Sequence, residues 1–485
     1  MSKKKALLRI EEAKLSLSKY LDLSDLELIE IPSEVIKLDR LEILNLCNNH
    51  LTSISSINLL PNLKLADFRD NNITEINEEF IQLELPIKWK FDYQNHGLYL
   101  EGNPIKNVPL EIINQGNKVI ASYLQAVNKS RGKSINEIKV VLIGDGGVGK
   151  TSIVNRFVND VFDPSLSVTQ GIDIRDFFIE RKDSLTKIKF WDFGGQEIMH
   201  STHQLFFTKR TIYLLVIDSR HENRIEYWLK SLISRVGHVP VFVVINKIDQ
   251  NPAYAINEVF LSQKYPSIKS FCRISCLTYD GFNELSYLLK SETYKLRDTI
   301  IELPNSWYQI KEALENSNYD YISYQYFQDI CKKNGVKQID SQNILSEFLH
   351  DIGVILHFKN LALYNTQILN PDWITGAIYK IINSNQIHIA NGRFNIKDVE
   401  VILSDDSQKY PADKIKFIIG VMREFELLFQ LKKDLFVIPD LLPIAEPSIQ
   451  VGYKNCIKYI FEYDFLPKGR VKNNFPFFQR VGKRE

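Results

Sequence analysis

The first hundred residues repeat one apolar pattern. In Leu41-x-x-Leu44-x-Leu46-x-x-Asn49-x-Leu51-x-x-Ile54, apolar positions recur at fixed offsets about a single asparagine. The pattern returns at Leu63, Ala66, Phe68, Asn71, Ile73 and Ile76, then at Leu98, Leu100, Asn103, Ile105 and Val108. A degenerate copy comes first at Leu21, Leu23, Leu26, Leu28 and Ile31, with Leu26 in the asparagine slot. The slots are 23 (26 to 49), 22 (49 to 71) and 32 (71 to 103) residues apart. The last gap implies an insertion of about ten residues around 88–96.

This is the spacing of a leucine-rich repeat. Each unit is expected to give a short strand whose leucines enter a shared core. The asparagine side chain bonds turn backbone groups that would otherwise be unpaired. Stacking makes a solenoid with a concave face suited to protein partners; so short an array serves equally as a scaffold or cap for the next domain. Residues 109–126 read as a capping helix, and 128–134 as a polar, flexible linker.

From 137 to 296 the pattern changes to apolar runs alternating with amphipathic stretches. Strands are expected at 138–143, 172–179, 188–192, 211–218, 239–246 and 270–275, with helices such as 223–236 and 282–289 between them. That alternation predicts a doubly wound α/β domain with its ligand at the carboxyl ends of the strands. Beyond Pro304, helices are expected at 307–316, 324–334 and 341–352, then a hairpin of 353–357 with 361–368. Helix, helix, hairpin is a winged-helix order. The segment 342–352 has no Arg or Lys, so it suits protein contact rather than DNA.

Composition narrows the class. The 485 residues include 60 basic and 59 acidic side chains, so no charge excess points to nucleic acid or to disorder. The five cysteines (Cys47, Cys272, Cys276, Cys331 and Cys456) are scattered without a CxxC pair, which leaves a structural zinc site unsupported. Reduced thiols fit a cytoplasmic protein. The Met-Ser-Lys-Lys-Lys start has no apolar stretch behind it, and no run approaches the roughly 18 residues of an integral membrane segment. Lys3–Lys5 read as a solvated terminus.

The chemistry begins at Gly144, Asp145, Gly146, Gly147, Val148, Gly149, Lys150, Thr151 and Ser152, between an expected strand and an expected helix. Strand, glycine-rich loop, Lys-Thr and helix form a P-loop. Its amides can wrap a polyphosphate, Lys150 can reach the β- and γ-phosphates, and the Thr151 hydroxyl can bind Mg²⁺. In Trp191-Asp192-Phe193-Gly194-Gly195-Gln196, Asp192 would hold Mg²⁺ through water. The Gly195 amide would bond the γ-phosphate, and Gln196 would orient the attacking water. The DFG within this stretch is no kinase signature, because HRD and VAIK elements are absent and the glycine loop has P-loop form. In Asn246-Lys247-Ile248-Asp249, the Asp249 carboxylate would accept two bonds from guanine, with the Lys247 stem over the base. Thr169 is the candidate switch threonine completing the Mg²⁺ shell. The Ser275 and Cys276 amides are expected at the guanine carbonyl. His200 and His203 read as packing groups of a switch helix.

These motifs together resemble the Roco family of leucine-rich repeats, a Roc GTPase domain and a COR domain. The Roc resemblance spans about 137–296. It rests on GDGGVGKTS, SVTQGI, WDFGGQE, MHSTHQLFFTKRTIYLLVID and NKID. YISYQYFQDI, FLHDIGVILHF, LNPDWITGAIYKII and LFVIPDLLP resemble the N-terminal half of COR. The resemblance implies repeats at 1–127, a Ras-like Roc domain at 136–298, N-terminal COR at 300–445 and a shortened second COR half at 446–485. It also implies slow GTP hydrolysis to GDP coupled to conformational change, with COR governing a possible homodimer. Some members carry a kinase domain after COR, and this sequence shows none. Arg235 resembles a Roc–COR contact and reads equally as a solvated helix-end residue. The expectation is a Mg²⁺-dependent GTPase switch; its rivals are a guanine-nucleotide-binding scaffold without turnover and a truncated, inactive product.

Overall fold

A computed structural model describes residues 2–54, 57–92, 94–129, 132–165, 169, 171–181, 184–194, 206–208, 211–221, 223–297, 302–357 and 366–443. The chain forms two compact units: 1–136 with 294–316 and 328–349, and 137–293 with 317–327 and 350 onward.

The first unit opens with helix α1 (Ser2–Leu15) and carries a five-stranded sheet. Its strands are β1 (Tyr20–Asp22), β2 (Ile43–Asn45), β3 (Leu65–Asp67), β4 (Ile87–Lys88) and β5 (Gly97–Tyr99). All pair in parallel in the order β1-β2-β3-β5-β4. Leu21, Leu44, Ala66 and Leu98 stand in register and are buried. The asparagines do the work expected of them. Asn71 Nδ2 donates to the carbonyls of Leu46 (2.9 Å), Phe68 (3.1 Å) and Arg69 (3.1 Å), while its Oδ1 accepts from Leu51 N–H (2.9 Å). Asn49 and Asn103 make equivalent sets. Asn71→Ala would strand several buried backbone groups. We expect a loss of about 2 kcal/mol in urea unfolding, far more than Asn62→Ala on the exposed side.

The insertion is larger in consequence than its length suggests. The added elements of the 71–103 interval, helix α2 (Glu78–Gln82) and β4 outside β5, begin ahead of the expected 88–96, so the insertion lies earlier than the spacing suggested. Phe91 meets Tyr99 edge-on at 4.7 Å and lies under the Arg69 guanidinium. Two further expectations need correction. The capping segment is two helices, α3 (Leu110–Ile113) and α4 (Asn117–Lys129), broken at Gly116, where φ is +92°. The linker is partly pinned: α4 runs into it, and Lys133–Ser134 (β6) pair antiparallel with Glu302–Leu303.

In the second unit, a six-stranded sheet has the order β12-β11-β10-β7-β9-β8. The strands are β7 (Glu137–Ile143), β8 (Ile172–Arg181), β9 (Ser184–Phe193), β10 (Thr211–Asp218), β11 (Val241–Asn246) and β12 (Ile268–Arg273). Only β8 runs antiparallel to its neighbour. Strands β10 and β11 are buried along their whole length, which is why they read as continuous apolar runs rather than alternations. Helices α5 (Lys150–Asn159), α6 (Ile225–Val236) and α7 (Glu258–Lys264) lie between them, and α8 (Phe282–Arg297) follows β12.

Beyond α8 come β13 (Glu302–Leu303), α9 (Asn305–Glu315), β14 (Tyr321–Ser323), α10 (Tyr324–Lys333), α11 (Ile339–Asp351) and β15 (Thr366–Ile368). Helices α9 to α11 match expectation. The hairpin is only partly as expected: Leu356 bridges Ile368, but β15 pairs mainly with β14. Residues 358–365 lie outside the described set. The sequence reading missed a second winged-helix order in 371–438. It comprises α12 (Pro371–Ile382), α13 (Asn385–Ile389), β16 (Arg393–Asn395), α14 (Ile396–Leu403), α15 (Ala412–Glu424), β17 (Phe429–Lys432) and β18 (Leu435–Val437). Its sheet has the order β16-β18-β17. One apolar core runs from Leu215, Val243 and Ile245 through Trp228 and Leu232 to Trp373, Ile378 and Phe417. Among the described residues no helix is long and apolar enough to cross a membrane.

Candidate functional site

The site lies at the carboxyl ends of β7, β9 and β11. Apolar β7 stops at Ile143, and the chain turns through Gly144 to Gly149 into α5. Any side chain at Gly144 would strike the Val216 carbonyl on the next strand. Gly149 is left-handed at φ +96°, and a Cβ there would run into the Asn246 amide. Gly146 and Gly147 are exposed, while Val148 anchors the loop from below. Helix α5 begins at Lys150, so its free first-turn amides, with Ser152 among them, add positive potential to the loop.

Three predicted metal-site residues meet within hydrogen-bond distance. Thr151 Oγ1 donates to Asp192 Oδ2 at 2.5 Å, and the Thr151 and Thr169 hydroxyls lie 2.7 Å apart. Thr169 Oγ1 is 3.3 Å from the same carboxylate oxygen. The other Asp192 oxygen is buried and has no partner among the described residues. Burial raises this carboxyl group above its ordinary range, and the Thr151 bond and Lys150 charge only partly oppose that. A buried carboxylate with one unsatisfied oxygen, flanked by two hydroxyls, is an oxygen donor set that suits a hard divalent cation such as Mg²⁺. Lys150 is buried beside it, its ammonium donating to the Gly144 and Asp145 carbonyls at 2.9 Å each. Burial lowers Lys150 to about 8 despite Asp192 and Asp145 nearby. A polyphosphate at the loop would offset that desolvation directly.

At the other end, Asn246 is 1% exposed and joins three segments. Its Nδ2 donates to Val148 O (2.9 Å), and its Oδ1 accepts from Cys276 N–H (3.3 Å). Lys247, at φ +63°, donates to Gly147 O (2.5 Å) and to Asp218 (2.9 Å). Its ammonium therefore ties the glycine-rich loop to the end of β10. Asp249 is half-buried in the following turn, and its carboxylate makes no hydrogen bond to the described residues. One expectation needs adjusting. The Ser275 amide is committed to Asp280 O (2.9 Å), and the Cys276 amide to Asn246, so here both hold the loop together. Gly195 and Gln196 lie outside the described residues, as do His200 and His203. Arg235 is exposed near the end of α6.

The sequence reading also missed several supporting residues. Asp145 accepts from Arg224 (2.6 Å) and from the Trp228 indole (3.3 Å), which ties the loop to α6. Burial alone would raise Asp218, but bonds from Arg220 and Lys247 outweigh it and hold the carboxyl group well below its usual range. Lys139 is buried on β7, donates to Phe206 O (2.7 Å) and sits 4.0 Å from the Trp191 ring centre; burial lowers it to about 7. A charged residue inside an apolar run was the only available signal for it. The thiols of Cys272, Cys276 and Cys331 are buried, which pushes each up to about 12.

Residues 139–249 match the family model described as Ras of Complex, Roc, domain of DAPkinase, and residues 304–442 match C-terminal of Roc, COR-A domain. A solved structure of Methanosarcina barkeri Roco2 RocCORdC bound to GDP is 43% identical, with a TM-score of 0.60. The match covers 64% of this chain and 98% of that one. A Roc-COR-CHAT protease of Runella zeae is 30% identical over 417 residues, covering 77% of this chain and 43% of the relative. A probable serine/threonine-protein kinase, pats1, of Dictyostelium discoideum is 26% identical over 435 residues, covering 79% and 13% respectively. The chain thus spans less than half the length of these curated relatives.

Proposed function

Because this chain belongs to the Roco family, we propose that it is a guanine-nucleotide switch that hydrolyses GTP to GDP. The observation that carries this reading is the meeting of Thr151, Thr169 and Asp192 beside Lys150, with Asn246 lacing that cluster to the Asp249 turn. The P-loop amides and Lys150 would bind and orient the β- and γ-phosphates. Thr151, Thr169 and Asp192 would hold Mg²⁺. That ion, when bound, supplies charge that stabilises the phosphoryl oxygens. Gln196 would orient water, and Asn246, Lys247 and Asp249 would select guanine.

The domain scheme follows: leucine-rich repeats over 1–127, Roc over 136–298, N-terminal COR over 300–445 and a second COR portion over 446–485. The parallel strands and asparagine ladder support the repeat assignment. Their concave face would bind protein partners, COR would support a homodimer, and the protein would act in the cytoplasm. Single-turnover hydrolysis tests the catalytic part. We expect Gln196→Leu to slow the step by on the order of a hundredfold, with GDP affinity retained. Equal, near-zero rates in both proteins would leave a nucleotide-binding scaffold without turnover.

A further inference from the structure

We propose that one face of α12, built from Asp372, Thr375 and Tyr379, reads the nucleotide state, and that the Tyr379 hydroxyl bonds the Thr169 carbonyl when GTP is bound. This deepens the switch reading and rests on it.

Thr169 and Gly195, the two candidate switch positions, are followed and preceded by short main-chain segments that meet. The Gly194 amide donates to Gly171 O at 3.0 Å, and Ile172 stands opposite Phe193 in the β8/β9 register. Residues 372, 375 and 379 are spaced i, i+3, i+7, which puts them on one helix face. That face lies against the two glycines. The Asp372 carboxylate and the Thr375 hydroxyl each come to 3.7 Å of the place a Gly171 Cβ would take. Asp372 also receives the Ile172 amide.

Gly194 is the informative position. Its φ is not positive, so its backbone conformation does not require glycine. Space does. A Cβ there would collide with the Thr169 carbonyl and would lie 2.6 Å from Tyr379 Oη. The acceptor and the donor thus crowd the same side of one residue. Tyr379 Oη is buried; the Gly171 backbone N–H faces its oxygen, but its proton finds no acceptor among the described residues. A buried hydroxyl whose proton has no acceptor disfavours the arrangement that leaves it so.

Thr169 links this contact to the nucleotide. Its hydroxyl belongs to the Thr151–Asp192 cluster, so binding that tightens the cluster fixes the carbonyl of the same residue. Closing the short gap to Tyr379 would then satisfy the phenol, and losing Thr169 from the cluster would withdraw its acceptor. Coupling of this kind is reciprocal: if the closed site favours α12 docking, α12 docking favours the closed site. Tyr379 is a positioning residue in this scheme and does not touch nucleotide.

The test uses the intact chain with Mg²⁺ and measures dissociation constants for GDP and for a non-hydrolysable GTP analogue. Tyr379→Phe keeps the ring in the core and removes only the hydroxyl. It should lower the preference for the triphosphate by about three- to tenfold, with GDP affinity changed less than about twofold. Gly194→Ala should lower the same preference. The double variant should lose less than the product of the two, because the added methyl faces one oxygen fewer. An unchanged ratio in Tyr379→Phe overturns the proposal, as do strictly multiplicative effects. If Gly194→Ala does not fold, Tyr379→Phe decides alone. Wild-type protein that binds neither nucleotide would remove the switch reading itself. Wild-type discrimination retained in Tyr379→Phe removes only the role of α12.

Discussion

Asp249→Asn should abolish most of the discrimination between guanine and adenine nucleotides, by about 10³- to 10⁴-fold. A carboxylate offers two acceptors to the ring N–H and exocyclic amine of guanine. An asparagine amide offers one acceptor and one donor, so a donor would face a donor across a half-buried contact. Folding should be untouched. The turn is held by Asn246 on Val148 and by Ser219 Oγ on Lys247 O (2.8 Å), while the Asp249 carboxylate bonds none of the described residues. Competition between labelled GDP and unlabelled ADP measures the effect. A base with a carbonyl in place of the exocyclic amine supplies the complementary control, since the new amide can donate to it. Retention of the wild-type GDP-to-ADP ratio would place base recognition elsewhere.

Trp373→Ala should cost about 3 to 5 kcal/mol of stability. Trp373 is 0% exposed and packs against Tyr321 (4.7 Å between ring centres), Tyr410 and Phe417. Its indole N–H donates to Lys409 O at 2.6 Å, so truncation would leave both a cavity and an unpaired carbonyl. The same core continues to the β10 and β11 side chains, so the loss should appear in the unfolding of the nucleotide site as well. Urea titration without nucleotide, followed by tryptophan fluorescence and by far-UV circular dichroism, would measure it. Trp373→Phe should lose clearly less, because most of the volume stays. An alanine variant within about 1 kcal/mol of wild type would show that this core relaxes around the gap.

What could be read from sequence followed the length and burial of each element. Strands β7, β10 and β11 are long enough to show as apolar runs, and their ends fell within two residues of expectation. The P-loop and NKID turn carry their chemistry in consecutive residues, so Thr151, Asp192 and Asn246 could be named in advance, and the fold brings Thr151 to Asp192 and Asn246 to Val148. Two- and three-residue strands such as β4, β14 and β16 are too short to show a period of two, and the second winged-helix order escaped with them. The Asn370-Pro371-Asp372 start of α12 and the Asn395–Asp398 capping box of α14 were its readable traces. Contacts made through space left no linear trace. Neither Arg224 on Asp145 nor Tyr379 beside Gly194 is implied by spacing. The bonds from the Ser275 amide to Asp280 and from the Cys276 amide to Asn246 were likewise invisible, because motif position says nothing about which acceptor a backbone N–H takes.

The Asn246 amide has one further consequence. Through Val148 it grips the loop assigned to phosphate, and through Cys276 the loop beside the purine turn. Arg156, from α5, adds a second cross-tie to the Cys276 carbonyl at 2.8 Å. The cleft is therefore fastened by a common rivet rather than by two independent catches. Letting go at the tail of a bound molecule would also slacken the hold on its head, so escape should proceed as one concerted loosening instead of a stepwise peel.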